Sequence, residues 1–301
     1  MRTGTLWAYL QLLRPANVVT AWADVLAGVA IAGVTVSFTD GTSLPPVTAV
    51  GGLLAATTGL YGGGIVLNDV FDAELDAEER PERPIPSGRA SRPRAALFGG
   101  ALLLVGVVAA GGVGPASGLL AGGIAAMAVL YDAVVGDHVV LGPLTMGLCR
   151  GGNLLLGVSI APGSMASAWY LGLLPVAYVA AITAVSRGEV RGGTARTGVL
   201  AVALVTVVAG TLGVLAVRGD YWGFHAAPFA LLFAGRVLPP FVRAARTPEP
   251  DPIQAAVQAG VTGLIPLNAA LAAGFGGGVY GLGVLALWPL SLGLARVFDV
   301  T

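Results

Sequence analysis

Ten apolar runs, each close to bilayer-spanning length, divide this 301-residue chain almost end to end. They lie near 18–37, 47–67, 94–113, 117–135, 141–160, 167–185, 197–217, 225–243, 256–275 and 279–297, the last two being the least sharply divided. A spanning helix needs about 20 mostly apolar residues. The expected fold is therefore all-α, a polytopic transmembrane helical bundle of nine to ten spans forming one domain over residues 1–301. Composition agrees. Hydrophobic residues make up 55% and charged residues 11%, whereas a soluble domain carries roughly 25% charged residues. The 46 glycines suit helices that approach closely in lipid. A net charge of zero offers nothing to nucleic acid, and the single cysteine, Cys149, excludes an intrachain disulfide. Met1 to Asn17 does not read as a cleaved signal, because Arg2, Arg14 and Pro15 precede the first long run.

Arginine distribution orients the bundle. Arg80, Arg83, Arg89, Arg92 and Arg94 follow the second run; Arg187, Arg191 and Arg196 the sixth; Arg243 and Arg246 the eighth. Arg2 and Arg14 precede the first run and Arg296 closes the last, while the alternate connections hold only Arg218. Positive residues favour the cytoplasmic side. The expected location is the cell (plasma) membrane, multi-pass, with the N-terminus and the Arg-rich connections cytoplasmic.

Chemistry concentrates in the longest polar stretch, Asn68 to Arg94. Asn68, Asp72 and Asp76 are spaced i, i+4, i+8, which on a continuing helix puts three oxygen-bearing side chains on one face. Mg²⁺ binds through one or two carboxylates and shares its other positions with water and substrate phosphates. Arg80, Arg83 and Arg89 follow at once, and arginine suits bidentate phosphate recognition. Metal-binding acids and phosphate-binding arginines at the mouth of an apolar bundle point to a substrate with a diphosphate head and a hydrocarbon tail. Within the runs, Arg150 and Asn153 either line a cavity and meet a phosphate or acceptor, or hydrogen-bond between helices. Asp24 either orders a partner arginine or contacts an acceptor, and Asn17 and Asn268 are weaker candidates. His225, Trp169, Trp222 and Trp288 read as interface anchors or packing residues.

Asn68-Asp69-x-x-Asp72-x-x-x-Asp76, followed by Arg83-Pro84-Ile85-Pro86-Ser87-Gly88, resembles the first aspartate-rich motif of the UbiA superfamily of intramembrane prenyltransferases. Arg14-Pro15-x-Asn17 looks like that family's N-terminal signature, and the likeness covers nearly the whole chain. Tyr131-Asp132-Ala133, Met146-Gly147-Leu148-Cys149-Arg150 and Ser186-Arg187-Gly188-Glu189-Val190 look most like its EboC-like branch. The resemblance implies a bundle around a central cavity open to the cytoplasmic side, Mg²⁺, an isoprenyl diphosphate donor and an acceptor it does not identify. Two departures stand out. The second acidic motif is reduced to Glu189, flanked by Arg187 and Arg191, which either pair with phosphate or with Glu189 itself. The connection after Tyr131 lacks the usual Lys or Arg and carries Asp132 and Asp137, either supplementary metal ligands or ordinary loop acids.

The mechanism so implied is electrophilic alkylation. Asn68, Asp72 and Asp76 hold Mg²⁺ against the diphosphate, with Glu189 assisting as ligand. Asp72, Asp76, Arg187 and Glu189 are the candidate catalytic residues, and Asn17, Arg80, Arg83, Arg150, Asn153 and Arg191 the candidate substrate-binding ones. Two rivals stand beside it: a non-catalytic prenyl-lipid binding or export-assisting membrane component, and a small-molecule transporter. The transporter fits less well, because midplane charges and internal repeats are its usual marks.

Overall fold

A computed structural model describes residues 4–34 and 45–298. Arg2 and the end of the first apolar run, 35–37, lie outside the described residues. The helices are α1 (Thr5–Leu13), α2 (Pro15–Ile31), α3 (Pro45–Phe71), α4 (Ala73–Glu79), α5 (Arg92–Val113), α6 (Pro115–Leu130), α7 (Leu141–Val158), α8 (Met165–Ala168), α9 (Leu173–Ser186), α10 (Ala195–Leu215), α11 (Gly223–Arg246), α12 (Pro250–Gly276), α13 (Gly278–Leu285) and α14 (Leu287–Ala295). No strand occurs among the described residues.

Eight helical segments among the described residues are long and apolar enough to cross a membrane, including a continuous stretch over Pro162–Ser186 and another over Gly278–Ala295. The remaining two apolar runs correspond to α2, which is 17 residues long, and α7, which carries Arg150 and Asn153. Both lie at the centre of the bundle, where protein and not lipid surrounds their polar groups. Within the described residues each of the ten runs therefore corresponds to helix, and the last pair divides at Gly277. The first helical span starts earlier than its hydropathy suggests. Arg14 takes a left-handed conformation (φ 43°) that ends α1, and Pro15, pre-set for the first turn, opens α2.

α12 and α2 form the core, buried along nearly their whole length. α5, α6 and α10 form the rim, with Leu97, Leu104, Val108, Leu119 and Val207 exposed in the way lipid-facing positions require. Small residues set the spacing around α2. A Cβ on Gly28 would fall 2.1 Å from the carbonyl oxygen of Leu154, and one on Gly157 2.2 Å from that of Val25. Only glycine permits this approach of α2 to α7. It brings Asp24 within reach of Arg150.

The arginine-bearing connections meet at one end of the bundle. Arg14 pairs with Asp69 at the end of α3, Arg80 with Glu189 and Arg191 with Glu79. Gly193 donates to the Pro248 carbonyl at 2.9 Å, and Arg187 donates to the Gly136 and Asp137 carbonyls. At an opposite connection Arg218 is occupied by Asp220 and the Tyr170 hydroxyl.

Candidate active site

The polar end is organised by a break in one helix. α3 stops at Phe71, Asp72 adopts φ −82° and ψ 4°, and α4 resumes at Ala73. Asn68 and Asp72 stay together across the break: Asn68 Nδ2 donates to Asp72 Oδ2 at 3.1 Å. The same Nδ2 lies 3.2 Å from Asp132 Oδ1, so the C-terminal end of α6, where Tyr131–Val135 form a π turn, joins the cluster. Asp132 Oδ2 is buried without a hydrogen-bond partner. Burial, reinforced by the negative charges of Asp76, Asp137 and Asp69, pushes the Asp72 carboxyl up to about 6.

Asp76, on α4, faces Arg83, whose Nη1 lies 2.8 and 2.7 Å from its two oxygens. The same nitrogen is 3.5 Å from Asp69, which Arg14 meets at 2.7 Å. Two buried acids and two arginines thus alternate, and the arginines compensate what the burial of Asp69 and Asp76 costs. The Pro84–Ala90 turn holds Arg83 in place. Ser87 N donates to the Arg83 carbonyl, Ala90 N to the Pro84 carbonyl, and Gly88 takes the φ of 74° that closes the turn. Arg89 contributes to the same wall through Gln11 and the Glu82 carbonyl.

Glu189 sits apart from Asn68 and Asp72, 3.6 Å from Arg80 and 8% exposed, with Oε1 unpartnered. Burial raises its carboxyl above the ordinary range, and the Arg80 charge opposes that rise. Gln254 donates to its backbone carbonyl. Arg191 is exposed and pairs with Glu79, and Arg187 is exposed and spans two carbonyls of the α6–α7 connection.

Two cavities open from this cluster. The outer one, about 920 Å³, is lined by Arg14, Asp69, Arg80, Arg83, Arg89 and Glu189 among others. The inner one, about 170 Å³, runs between α2, α3, α6 and α7, from Asn68 and Asp132 at one end to Arg150 and Asn153 at the other. Leu60, Ile65, Ile124 and Met146 give it apolar walls, and Asn17 lines it too. Arg14 belongs to both cavities.

The sequence-derived candidates differ in what they meet. Asn68 and Asp72 converge, while Asp76 and Glu189 each face an arginine. Arg80 and Arg83 flank the outer cavity. Arg150 and Asn153 both line the inner cavity and hydrogen-bond to α2. Arg14 and Asp69 are the additions, and of the two acids after Tyr131 it is Asp132 that joins the cluster. Arg14 and Asp69 stood inside recognised motifs, but nothing local in the sequence paired them. Asp132 reaches Asn68 over 64 residues.

Among the described residues no three His, Cys, Asp or Glu side chains are arranged to hold a metal ion. What is present is two carboxylates, one with a buried unpartnered oxygen, and an amide between them. That donor set fits Mg²⁺, a hard cation that takes one or two carboxylates and keeps waters or phosphate oxygens in its other positions.

The UbiA prenyltransferase family model matches residues 25–257. A digeranylgeranylglyceryl phosphate synthase of Methanothrix thermoacetophila is 35% identical over 158 residues, covering 52% of this chain and 56% of that protein. The synthase of the same name from Ignicoccus hospitalis is 31% identical over 192 residues, covering 63% and 59%. The aligned part thus spans a little over half the length of these curated relatives. Among solved structures, a UbiA homologue from Archaeoglobus fulgidus bound to GPP and Mg²⁺ superposes with a TM-score of 0.67 at 18% identity, over 93% of this chain and 99% of that one. A digeranylgeranylglyceryl phosphate synthase structure gives 0.61 at 18% identity, over 94% and 99%.

Proposed function

Because the chain belongs to the UbiA prenyltransferase family, we propose that it transfers an isoprenyl group from a prenyl diphosphate to a lipid-phase acceptor inside the membrane, with Mg²⁺ as cofactor. The observation that carries this reading is that Asn68 and Asp132 line a largely apolar inner cavity, Asp72 meets Asn68, and Arg14 lines both that cavity and an arginine-rich outer one.

In this reading the outer cavity receives the donor's diphosphate and the inner one the acceptor, with the reacting carbon where they meet. Arg14, Arg80 and Arg83 receive the diphosphate in the outer cavity and neutralise the charge that grows on it as the C–O bond breaks. Asn68, Asp72 and Asp132 would hold Mg²⁺, which when bound supplies further positive charge at the leaving diphosphate. Asp76 and Glu189 would join as ligands only by leaving Arg83 and Arg80. The apolar walls of the inner cavity exclude water from the allylic carbon, so that the acceptor captures it in place of solvent. The new bond forms at the prenyl C1 carbon, diphosphate departs outward, and the acceptor's proton is lost to solvent or buffer.

The named relatives are synthases of a glycerol phosphate lipid, and the A. fulgidus homologue is described with GPP and Mg²⁺. Both support the donor class assigned here. The arginine asymmetry supports a cytoplasmic outer cavity in the cell membrane. Cysteines placed at Glu78 and Thr194 in a Cys149→Ser background should react with an impermeant thiol reagent only from the cytoplasmic side, and labelling from outside would reverse the orientation.

Binding of farnesyl diphosphate tests the donor site. The parent should bind it in a Mg²⁺-dependent way, and Asp72→Asn should lose that dependence while remaining folded. Equal Mg²⁺-dependent binding by both would remove the metal-site reading. One observation favours the rival of a prenyl-lipid binding component without turnover: three of the acids, Asp69, Asp76 and Glu189, already face arginines.

A further inference from the structure

The inner cavity ends on a polar floor that the chemistry at its mouth leaves unused. Arg150 lines it from α7 and is 3% exposed. Its Nη2 donates to Thr20 Oγ1 at 3.2 Å, and its guanidinium carbon stands 5.1 Å from the centre of the Tyr61 ring. Its Nε lies 3.1 Å from Asp24 Oδ2, an ion-pair contact outside hydrogen-bond alignment. Nη1 is buried and has no hydrogen-bond partner. A buried N–H left unmade is costly, and a ligand oxygen would recover that cost. A hydrocarbon tail lodged at this end would leave the donor unsatisfied. The floor suits a polar head.

Charge decides which kind of oxygen fits. Asp24 is fully buried and accepts from Asn153 at 3.1 Å and from Asn268 at 2.7 Å in addition to meeting Arg150. The positive charge of Arg150 is therefore balanced before any ligand arrives. An anionic head would bring a second negative charge into a low-dielectric floor, with Asp132 at the far end of the same cavity. We propose that the inner cavity receives the acceptor's head group and recognises it through an uncharged oxygen, a hydroxyl or a carbonyl, that accepts from Arg150 Nη1. The inference rests on the proposed function for treating this cavity as the acceptor's place. At about 170 Å³ the cavity admits one small ring or a short polyol, since a protein cavity of about 150 Å³ accommodates benzene.

The test uses 4-fluorobenzyl alcohol and 4-fluorobenzoate, matched in size and differing in charge, titrated by ¹⁹F NMR against the purified full-length protein in micelles, with empty micelles subtracted. The parent should bind the alcohol saturably and about tenfold or more tighter than the carboxylate. Arg150→Gln should weaken the alcohol by about tenfold. Asp24→Asn, which uncovers the arginine's charge, should reverse the order in favour of the carboxylate. That reversal is not expected of an arginine that only ties helices together, and together with the parent's own selectivity it carries the test should Arg150→Gln fail to fold. Equal or tighter binding of the carboxylate by the parent, no saturable binding of the alcohol, an Arg150→Gln affinity within about twofold of the parent, or no reversal in Asp24→Asn would each overturn the proposal. Geranyl diphosphate binding with Mg²⁺ is measured on the parent sample alongside. Its absence beside intact, Arg150-dependent alcohol binding would count against the donor site alone.

Discussion

Asn68 on α3 donates its side-chain amide to Asp132 at the end of α6, 3.2 Å away, and so ties the first acidic motif to a connection 64 residues further along. That contact supplies a second carboxylate where the reduced motif around Glu189 does not reach.

Asp132→Asn should therefore weaken Mg²⁺ binding in the presence of farnesyl thiodiphosphate by about tenfold or more, as removal of a ligand or its immediate support does elsewhere. Mn²⁺ titration followed by EPR reads the affinity directly. Asp220→Asn, at the opposite connection, serves as the control and should change nothing. Parent-like affinity in Asp132→Asn would make it an ordinary loop acid.

Acidity should couple to the metal through Asp72. Burial and the charges of Asp76, Asp137 and Asp69, with Arg83 opposing, push its carboxyl up to about 6 from an ordinary 3.8. A carboxyl raised on folding holds its proton longer in the native state, so its contribution to metal-free stability falls as pH climbs from about 4 to about 6. Mg²⁺ needs the ionised form, so the gain in melting temperature on adding Mg²⁺ should be larger at pH 7 than at pH 5. Asp72→Asn should shrink that difference, leaving the part carried by Asp132. A Mg²⁺ effect independent of pH in the parent would contradict the assignment.

Arg187 is expected to act through the loop it holds. Its guanidinium donates to the Gly136 and Asp137 carbonyls at 3.2 and 2.6 Å. Arg187→Ala should speed amide exchange across 132–140 and lower Mg²⁺ affinity several-fold through Asp132, as loss of a supporting contact does at metal sites. Unchanged exchange together with weaker donor binding would mean that Arg187 meets the diphosphate itself.

Packing between α2 and α7 allows a stability prediction. Gly157→Ala sets a methyl against the Val25 carbonyl, where an ideal Cβ would fall at 2.2 Å. Backbone cannot yield as a side chain can, so a cost of about 1–3 kcal/mol or more is expected. Gly111→Ala, where the added carbon meets open space, is the control. Thermal unfolding in detergent compares the two, and equal melting would show that α2 and α7 separate without penalty.

How much of this was readable beforehand follows from the range of each interaction. The spans were, because hydropathy is a local property and a bilayer imposes one length. Asn68 and Asp72 were, because four residues of helix bring them together. Asp76 was assigned to the same face by that rule; its backbone N–H still bonds the Asp72 carbonyl at 2.8 Å and its charge acts on Asp72, while its carboxylate is taken up by Arg83, a partner the spacing did not reveal. The pairing of Arg14 with Asp69 and of Asn68 with Asp132 depends on which helices become neighbours, which no window of sequence carries. Arg150 and Asp24 were visible as charges within apolar runs. That they neutralise one another across α2 and α7 depended on Gly28 and Gly157, whose role emerges only from the crossing itself.

Release of diphosphate tests the central claim most directly. Purified protein is incubated with Mg²⁺, labelled farnesyl or geranylgeranyl diphosphate and a membrane lipid extract, and free diphosphate and lipid-phase label are followed together. An intramembrane prenyltransferase should release diphosphate in step with transfer of label to a new lipid product, with both lost in Asp72→Asn and on chelation of Mg²⁺. Saturable donor binding with no diphosphate released by any acceptor fraction would contradict catalysis and leave a prenyl-lipid binding protein.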